Sequence, residues 1–142
     1  MIKSGLLSIV MLYSTNAIAA TDHKKQINCL AKNITAESEG EPTKGKKAVA
    51  LVTFNRLKSG KYGKTICEIV YAKNQFSWTK KRKKINVPDD IYQLATDIYN
   101  NINNITDITH GAINFHNTKV NPKWRGFKKT IKIGNHIFYK KL

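Results

Sequence analysis

The sequence predicts an α+β fold: a mainly helical domain with a small C-terminal antiparallel β-hairpin element. Two patterns carry this prediction. Between residues 24 and 101, apolar residues recur at the spacing of helices. After Gly111 the pattern shortens to strand-like alternation, and two alternating runs, 130–133 and 136–139, flank the turn pair Gly134-Asn135. A length of 142 residues is enough for one compact domain with a single core.

The N-terminus has the pattern of a secretory signal peptide. Lys3 precedes the largely apolar stretch 5–13, and Ala17-Ile18-Ala19 supplies small residues for cleavage. We expect residues 1–19 to be a signal peptide and residues 20–142 to be the folded domain. The alternative is a short membrane anchor, but a spanning helix needs about 20 apolar residues, and no later segment approaches that length. We therefore expect no stable membrane span, and a location in the periplasm, the cell wall or the extracellular space.

Four helices are predicted. The first, 24–38, has one apolar stripe, and Thr21 or Asp22 is available as its N-terminal cap. The second, 43–58, is apolar nearly all round over residues 48–54, which is typical of a central buried helix. Two further helices are predicted at 65–71 and 88–101.

The two cysteines, Cys29 and Cys67, agree with export. In an oxidising compartment a pair of cysteines usually forms a disulfide, so we expect one here. Neither cysteine belongs to a Cys-x-x-Cys or Cys/His cluster, and His110 and His116 have no ligand partner nearby in sequence. We therefore expect no metal site and no cofactor.

The net charge of +16 predicts attraction to polyanions. The densest basic run, 79–84, has the composition of a nucleic-acid patch, but export and the absence of any nucleic-acid recognition motif argue against that partner. A solvated loop that faces an anionic cell-envelope polymer fits better, and a solvated loop without a partner is the alternative. We expect the protein to be a monomer.

An acidic segment, Ala36-Glu37-Ser38-Glu39-Gly40-Glu41-Pro42, follows the first helix. The chain has nine carboxylate residues against 25 Lys and Arg, yet three of the nine lie within five residues. The helix must end near Gly40 and Pro42, because glycine readily takes the left-handed conformation and proline restricts its predecessor. Glu37 is thus expected at the helix end, where a carboxyl that faces a cleft is a good general acid.

Seven sequence blocks occur in an order that resembles one family. They are Cys29-Leu30-Ala31; Ala36-Glu37-x-x-Gly40-Glu41-Pro42; Gly45 with Ala48-Val49-Ala50 and Asn55-Arg56; Thr65-Ile66-Cys67; Gln75-Phe76-Ser77-Trp78; Gly111-Ala112 with Phe115-His116-Asn117; and Ile133-Gly134-Asn135-His136-Ile137-Phe138-Tyr139. In these blocks the chain resembles the SleB-type cell wall hydrolases, a family named for a spore cortex-lytic enzyme. The resemblance implies a lysozyme-like α+β catalytic domain over residues 20–142 that cleaves the glycan strands of peptidoglycan. The chain departs from the family at Glu39, where a basic or neutral residue is common.

The resemblance implies that Glu37 is the catalytic acid, and the residues themselves agree. Ala36 and Ser38 are small and leave a saccharide room to approach Glu37. Glu41 is the alternative candidate. It lies at the start of the next helix, where it can neutralise the positive helix end, and that interaction lowers the pKa of a carboxyl group. A proton donor needs a raised pKa instead. Glu39 is expected to point to solvent.

A second catalytic carboxylate is not evident, since the remaining six acidic residues look like caps or helix-surface residues. Hydrolysis by two carboxylates needs them about 5 to 10 Å apart, whereas a lytic transglycosylase, an activity that the family contains, needs one residue. We therefore predict a lytic transglycosylase that uses Glu37 as acid and base. A hydrolytic muramidase or glucosaminidase with Glu41 as helper is the alternative, and a noncatalytic cationic envelope-binding protein is a further one.

Five other residues are candidates for substrate binding. Gln75, Ser77 and Trp78 combine the amide, hydroxyl and aromatic groups with which proteins bind sugars, although Trp78 would equally serve to anchor a loop to the core. His116 and Asn117 follow a predicted strand and would line the cleft or orient a substrate N-acetyl group, with a structural histidine as the alternative. Trp124 and Tyr139 are predicted to lie in the core or at the rim of the cleft.

Overall fold

A computed structural model describes residues 3–81 and 84–142 of the chain, with side chains from residue 17 onward. Five α-helices, a 3₁₀ turn and three strands are present in this part of the chain. They are α1 (Lys3–Glu37), α2 (Thr43–Ser59), α3 (Ile66–Tyr71), α4 (Ser77–Lys80), α5 (Asp89–Asn101), the 3₁₀ turn Ile102–Asn104, β1 (Asn114–Asn117), β2 (Phe127–Ile133) and β3 (His136–Lys141). The predicted α+β class is confirmed.

The first helix is longer than the sequence pattern predicted. It begins at Lys3, so the prediction of an N-terminal cap at Thr21 or Asp22 is wrong: Thr21 Oγ1 donates to the Ala17 carbonyl within the helix, and Asp22 accepts from Gln26. Residues 14–24 contain no glycine or proline, and their alanines favour helix, so nothing stops the helix there. No helix in the described part of the chain is long and apolar enough to cross a membrane.

The C-terminal end of α1 lies where the sequence predicted it. The helix ends at Glu37, and Gly40 takes a left-handed conformation with φ +77°. Glycine adopts this backbone at little energetic cost, so the chain reverses within a few residues and enters α2. This reversal leaves Glu37 at the edge of the helical layer, beside the residues that follow α3.

The second helix lies between the two halves of the core, as predicted for an all-round apolar helix. One face of α2 contributes Ala50 to a cluster with Leu30 and Ile34 of α1, which also includes buried residues of α3 and α5. Another face contributes Ala48 and Val52 to a second cluster, together with Ala112, Ile133 and Phe138 around the sheet. The helix therefore joins the helical layer to the sheet.

The short helix α3 is fixed by an N-terminal cap and by the disulfide. Thr65 caps α3 by accepting a hydrogen bond from the Glu68 amide. The predicted disulfide between Cys29 of α1 and Cys67 of α3 is present, with their Cα atoms 5.2 Å apart. The one-turn helix α4 and the 3₁₀ turn were not predicted, because single turns are too short to show an apolar period.

The C-terminal part forms a three-stranded antiparallel sheet in the order β1-β3-β2. Strands β2 and β3 are the predicted hairpin, with Gly134 at φ +56° in the turn. Strand β1 pairs along the other edge of β3, so the predicted hairpin element is part of a slightly larger sheet. Its inner residues pack on α2 and bring β1 beside the end of that helix.

Candidate active site

Glu37 lies in the middle of a cleft made of three cavities that share lining residues. The smallest, about 250 Å³, is lined by Glu37, Arg56, Asn74, Gln75, Phe76, Ser77, Lys80 and Phe115. The largest, about 720 Å³, extends from Glu37 and Ser77 towards the start of α5. The third, about 330 Å³, shares Arg56 with the smallest and continues to Tyr62 and Trp124. We refer to these three cavities together as the cleft.

The carboxyl group of Glu37 is partly withdrawn from water. Burial raises the pKa of Glu37 from 4.5 to about 7, and the positive charge of Arg56 opposes this rise. The end of α1 adds partial negative charge from its last carbonyl groups, which also disfavours a carboxylate. Glu37 is thus a carboxylic acid that keeps its proton up to about neutral pH, and such a group can protonate a leaving oxygen.

Arg56, near the C-terminal end of α2, is buried beside this acid with only 4% of its surface exposed. Its Nε donates to the Ile113 carbonyl at 2.7 Å, and its Nη2 donates to Asn114 Oδ1 at 3.2 Å. Its guanidinium carbon lies 4.8 Å from the ring centre of Phe76 and 5.6 Å from that of Tyr62. The guanidinium is therefore held in one place as a wall of the cleft.

The neighbouring Asn55 fixes the backbone to which Arg56 binds. Its Nδ2 donates to Asp107 Oδ2 and to the Ala112 carbonyl, each at 2.9 Å. Burial alone would raise the pKa of Asp107, but hydrogen bonds from Thr109, Asn55 and Gly111 outweigh it and hold the pKa below its ordinary value. This network ties α2 to the segment that leads into β1, next to the Arg56 partners Ile113 and Asn114.

The structure brings Gln75, Ser77 and Trp78 to the cleft with Glu37. Gln75 and Ser77 line the smallest cavity, and Ser77 is exposed at its junction with the largest. Trp78 lines the largest cavity, but its Nε1 donates to Asn33 Oδ1 at 2.9 Å and its ring packs against Tyr71. Trp78 thus has the position expected of a sugar-binding residue and the contacts expected of a loop anchor, and the substrate-binding role of all three residues stays a prediction.

Part of the basic run borders the cleft instead of lying apart from it. Lys80 lines the smallest cavity, and Lys81 and Lys84 line the largest, where they are joined by Lys46 of α2. Lys80, Lys81 and Lys84 are exposed, as predicted for a solvated loop, but they lie beside the cavities that contain Glu37. The anionic partner of the run stays a prediction. Lys80 is the last residue of α4, a turn that the sequence pattern did not reveal. Arg82 and Lys83 lie outside the described residues.

Glu41 is not among the residues that line the three cavities, and it lies at the junction between the helices and the sheet. Its side chain is buried, and both carboxylate oxygens accept from the backbone amide of Asn135, at 3.2 and 3.1 Å. The Lys46 ammonium donates to the Glu41 carbonyl at 2.9 Å. Glu41 thus holds the hairpin turn against the start of α2, and it is not among the cleft residues that the helper role would require.

His116 and Asn117 are also not among the residues that line the three cavities. His116 Nε2 and the Tyr139 hydroxyl are 2.9 Å apart, and the two rings are stacked, with Trp124 packed edge-on. Because His116 Nδ1 lies 2.8 Å from the Asn117 carbonyl, Nδ1 carries the proton and Nε2 accepts from Tyr139. The structural interpretation of His116 fits these contacts, and its substrate-binding role stays a prediction.

Sequence reasoning missed Arg56, Asn74 and Phe115 as cleft residues. A signal was available for Arg56: the polar pair Asn55-Arg56 ends the most apolar helix, where charged side chains are rarely buried without a role. Asn74 takes a left-handed backbone with φ +65°, which the sequence did not indicate. Among the described residues, no group of three or more His, Cys, Asp or Glu side chains could hold a metal ion.

Comparison with known proteins gives one consistent result. The spore cortex-lytic enzyme of Bacillus cereus is 27% identical to the chain over 118 residues, which are 82% of the chain and 45% of that enzyme. The chain thus spans less than half the length of this relative. The crystal structure of the catalytic domain of the B. cereus SleB protein superposes with a TM-score of 0.66 at 28% identity, over 82% of the chain and 91% of that domain.

A second solved structure gives the same similarity. It is the catalytic domain of the germination-specific lytic transglycosylase SleB from Bacillus anthracis, with a TM-score of 0.66 at 29% identity, over 81% of the chain and 93% of that domain. The fold is therefore that of a SleB catalytic domain, as the sequence blocks implied. The cell wall hydrolase family matches residues 40–139, which is more than half of the chain. The chain belongs to the cell wall hydrolase family.

Proposed function

We propose that the chain is an enzyme that cleaves the glycan strands of peptidoglycan as a lytic transglycosylase, with Glu37 as its acid and base. Membership of the cell wall hydrolase family supports action on the wall. Similarity to the SleB catalytic domain of B. anthracis, which is a lytic transglycosylase, supports this outcome of cleavage.

The observation that carries the proposal is the half-buried carboxyl group of Glu37 in the middle of the cleft. Glu37 lines two neighbouring cavities, and a glycan strand that occupied both would bring its sugars past the acid. Its pKa of about 7 keeps much of the group protonated near neutral pH. Gln75 and Ser77 supply an amide and a hydroxyl group beside it, which suit the hydroxyl and acetamido groups of a sugar.

The chemistry needs one group that first gives and then takes a proton. Protonated Glu37 donates to the glycosidic oxygen, the bond from that oxygen to C1 breaks, and the oxygen leaves as an alcohol. The Glu37 carboxylate then removes the proton of the C6 hydroxyl while that oxygen bonds to C1. The muramic acid closes into a 1,6-anhydro ring, Glu37 is again protonated, and no water is consumed.

Hydrolysis is the second candidate, and one observation favours it. The exposed carboxylates of Glu39 and Asp90 line the largest cavity together with Glu37. A second carboxylate on the opposite side of the bond could direct a water molecule. Glu41, the helper expected from the sequence, is held at the hairpin turn instead.

Mass spectrometry of digested peptidoglycan separates these outcomes. The transglycosylase gives products with 1,6-anhydro ends, each lighter by one water than a hydrolysis product, and Glu37→Gln gives neither. Glu39→Gln and Asp90→Asn should leave the anhydro products in place. New reducing ends that disappear in either of those variants would establish hydrolysis, and binding to walls without any product would establish a noncatalytic envelope-binding protein.

We also propose that residues 1–19 are removed during export and that the domain acts as a monomer in the envelope or outside the cell. The pattern of Lys3, the apolar stretch and Ala17-Ile18-Ala19 supports export. So does the disulfide, since such bonds persist in oxidising compartments. Sequencing the N-terminus of the secreted protein tests the predicted cleavage after Ala19.

A further inference from the structure

We propose that Arg56 is a positioning residue that stabilises the ionised form of Glu37. When Glu37 has given up its proton, its carboxylate accepts a hydrogen bond from Arg56 Nη1. This inference rests on the proposed function of Glu37 as proton donor. Arg56 acts on the glycan through Glu37, and it would therefore set the acid strength of Glu37 without itself exchanging a proton.

The first observation is an unused donor. Two nitrogen atoms of the Arg56 guanidinium donate to the Ile113 carbonyl and to Asn114 Oδ1. The third, Nη1, is buried and has no hydrogen-bond partner among the described residues. A buried donor without a partner costs about 1 to 3 kcal/mol. A partner that forms in only one state of the site accounts for this arrangement.

The second observation is the shared cavity. Arg56 and Glu37 both line the cavity of about 250 Å³, and the charge of Arg56 acts on Glu37 across it. The guanidinium is fixed by its two hydrogen bonds and by the Phe76 and Tyr62 rings. Glu37 is only half-buried, and its carboxyl group has no hydrogen bond within the described part of the chain. Rotation of the Glu37 side chain is therefore the motion that would close the contact.

The other charges around Glu37 are less suited to this role. Lys80, from α4, lines the same cavity but is exposed. In the largest cavity Lys81, Lys84, Glu39 and Asp90 are exposed, and the Lys46 ammonium donates to the Glu41 carbonyl. Exposed charges are weakened by water and salt. The buried Arg56 keeps its effect, because it is always protonated and is shielded from solvent.

The proposed contact serves both proton transfers. A charge-assisted hydrogen bond stabilises the carboxylate that remains after the glycosidic oxygen is protonated. The same carboxylate must then be basic enough to remove the C6 hydroxyl proton. Burial raises the pKa of Glu37 and so makes its carboxylate a stronger base, whereas the charge of Arg56 limits this rise. Glu37 can therefore both donate and accept a proton near neutral pH.

The direct test is a pair of crystal structures of the wild-type protein, at about pH 5 and about pH 9, on either side of the Glu37 titration. We expect a Glu37 carboxylate oxygen within about 3 Å of Arg56 Nη1 at the higher pH and no such contact at the lower pH. A Glu37 carboxylate that stays apart from Nη1 at high pH would overturn the proposal. This test needs no variant and no substrate.

A second test follows the titration of Glu37 by carboxyl-carbon NMR in variants. Arg56→Met should raise the Glu37 pKa by about one unit or more, because a near opposite charge typically lowers a carboxyl pKa by 1 to 3 units. Asn114→Ala is the structural control: it removes a hydrogen bond from the Arg56 side chain and keeps the charge, so the pKa should barely move. Lys80→Gln tests whether any cation in the cavity would serve, and a shift as large as that of Arg56→Met would refute the assignment.

Activity separates this inference from the proposed function. If Glu37→Gln abolishes cleavage but Arg56→Met leaves the titration of Glu37 and the pH profile of cleavage unchanged, the acid is correctly assigned and the role of Arg56 is wrong. If the Glu37 pKa shifts as expected but Glu37→Gln still cleaves the glycan, the contact exists and the proposed function is wrong.

Discussion

Glu37 and Glu41, the first and last glutamates of the acidic segment, differ in environment, although they are only four residues apart. Glu37 is at the end of α1, half-buried in the cleft, where its pKa is raised to about 7. Glu41 is buried against the hairpin turn, where it accepts hydrogen bonds from the Asn135 amide. Burial without hydrogen-bond donors raises the pKa of Glu37 and favours its acid form. The environments thus support Glu37 as the proton donor and Glu41 as a structural residue.

The first prediction concerns the loss of the acid. Glu37→Gln should lower wall cleavage by about 10²- to 10⁴-fold, because an amide of the same size cannot donate a proton as an acid. Release of soluble fragments from purified walls measures the loss. Glu39→Gln is the matched control, since it is an exposed glutamate two residues away and should retain activity. Cleavage by Glu37→Gln within a few-fold of wild type would reject Glu37 as the acid.

The second prediction concerns stability and pH. The pKa of Glu37 in the folded protein is above its unfolded value, so the folded state binds more protons between about pH 4.5 and about pH 7. The wild type should therefore lose stability as pH rises through that interval, by up to about 3 kcal/mol. The Glu37→Gln variant has no ionisable group at this position, so it should not lose stability in this way. Denaturant unfolding should show the variant to be more stable than wild type at pH above about 7 and similar to it near pH 4; equal curves at both values would contradict the burial of this carboxyl group.

At the scale of elements, the contact between Glu41 and the hairpin turn joins the two layers of the fold. A side chain on Gly134 would collide with the Glu41 carboxylate, and its φ of +56° is a conformation that other residues rarely adopt. We predict that Gly134→Ala destabilises the protein by about 1 to 3 kcal/mol. Gly126→Ala is the matched control, because Gly126 also has a positive φ, +77°, but an added Cβ would meet no atom within 4 Å. Equal losses in thermal unfolding would show that backbone strain alone, and not the Glu41 contact, accounts for the effect.

The disulfide ties α1 to α3, next to the segment that forms the cleft wall. It closes a loop with a sequence separation of 38, for which the loss of chain entropy predicts a stabilisation of about 3 to 4 kcal/mol. Reduction should therefore lower the melting temperature, and Cys29→Ser combined with Cys67→Ser should lower it by a similar amount in the absence of reductant. Alkylation that finds two free thiols in the secreted protein would contradict the bond.

Some elements of the fold could be predicted from local sequence patterns, and others could not. Helix α2, the end of α1 at Gly40 and the Gly134-Asn135 turn were predictable, because apolar period and glycine conformation are local properties. The long N-terminal part of α1 was missed, since the pattern of a signal peptide does not say whether the segment is helical. Helix α4 is a single turn, too short to show an apolar period. The pair Asn55-Arg56 marks a polar end of α2 in the sequence, but the position of Arg56 depends on its contacts with Ile113 and Asn114, which lie far along the chain.

For the whole molecule, two groups of lysines differ in position: one borders the cleft and the other lies on the sheet. Lys80, Lys81 and Lys84 border the cavities that contain Glu37. A second group is exposed on β2 and β3 and is absent from the lining of those cavities: Lys128, Lys129, Lys132, Lys140 and Lys141. The first group can act on a glycan that is bound in the cleft, whereas the second can act only on the surrounding polymer.

This division predicts two different effects of removing charge. Neutralising the five sheet lysines to Gln should weaken binding to whole walls and leave turnover of a short soluble glycan nearly unchanged, because attraction between exposed charges acts over about 8 to 10 Å near physiological salt. Neutralising Lys80, Lys81 and Lys84 should lower activity on both substrates, since these side chains line the cleft. Raising the salt concentration should reproduce the sheet variant on walls. If the cleft variant spared the short glycan, these three lysines would serve only as a tether to the wall, and their position beside Glu37 would have no part in binding the cleaved strand.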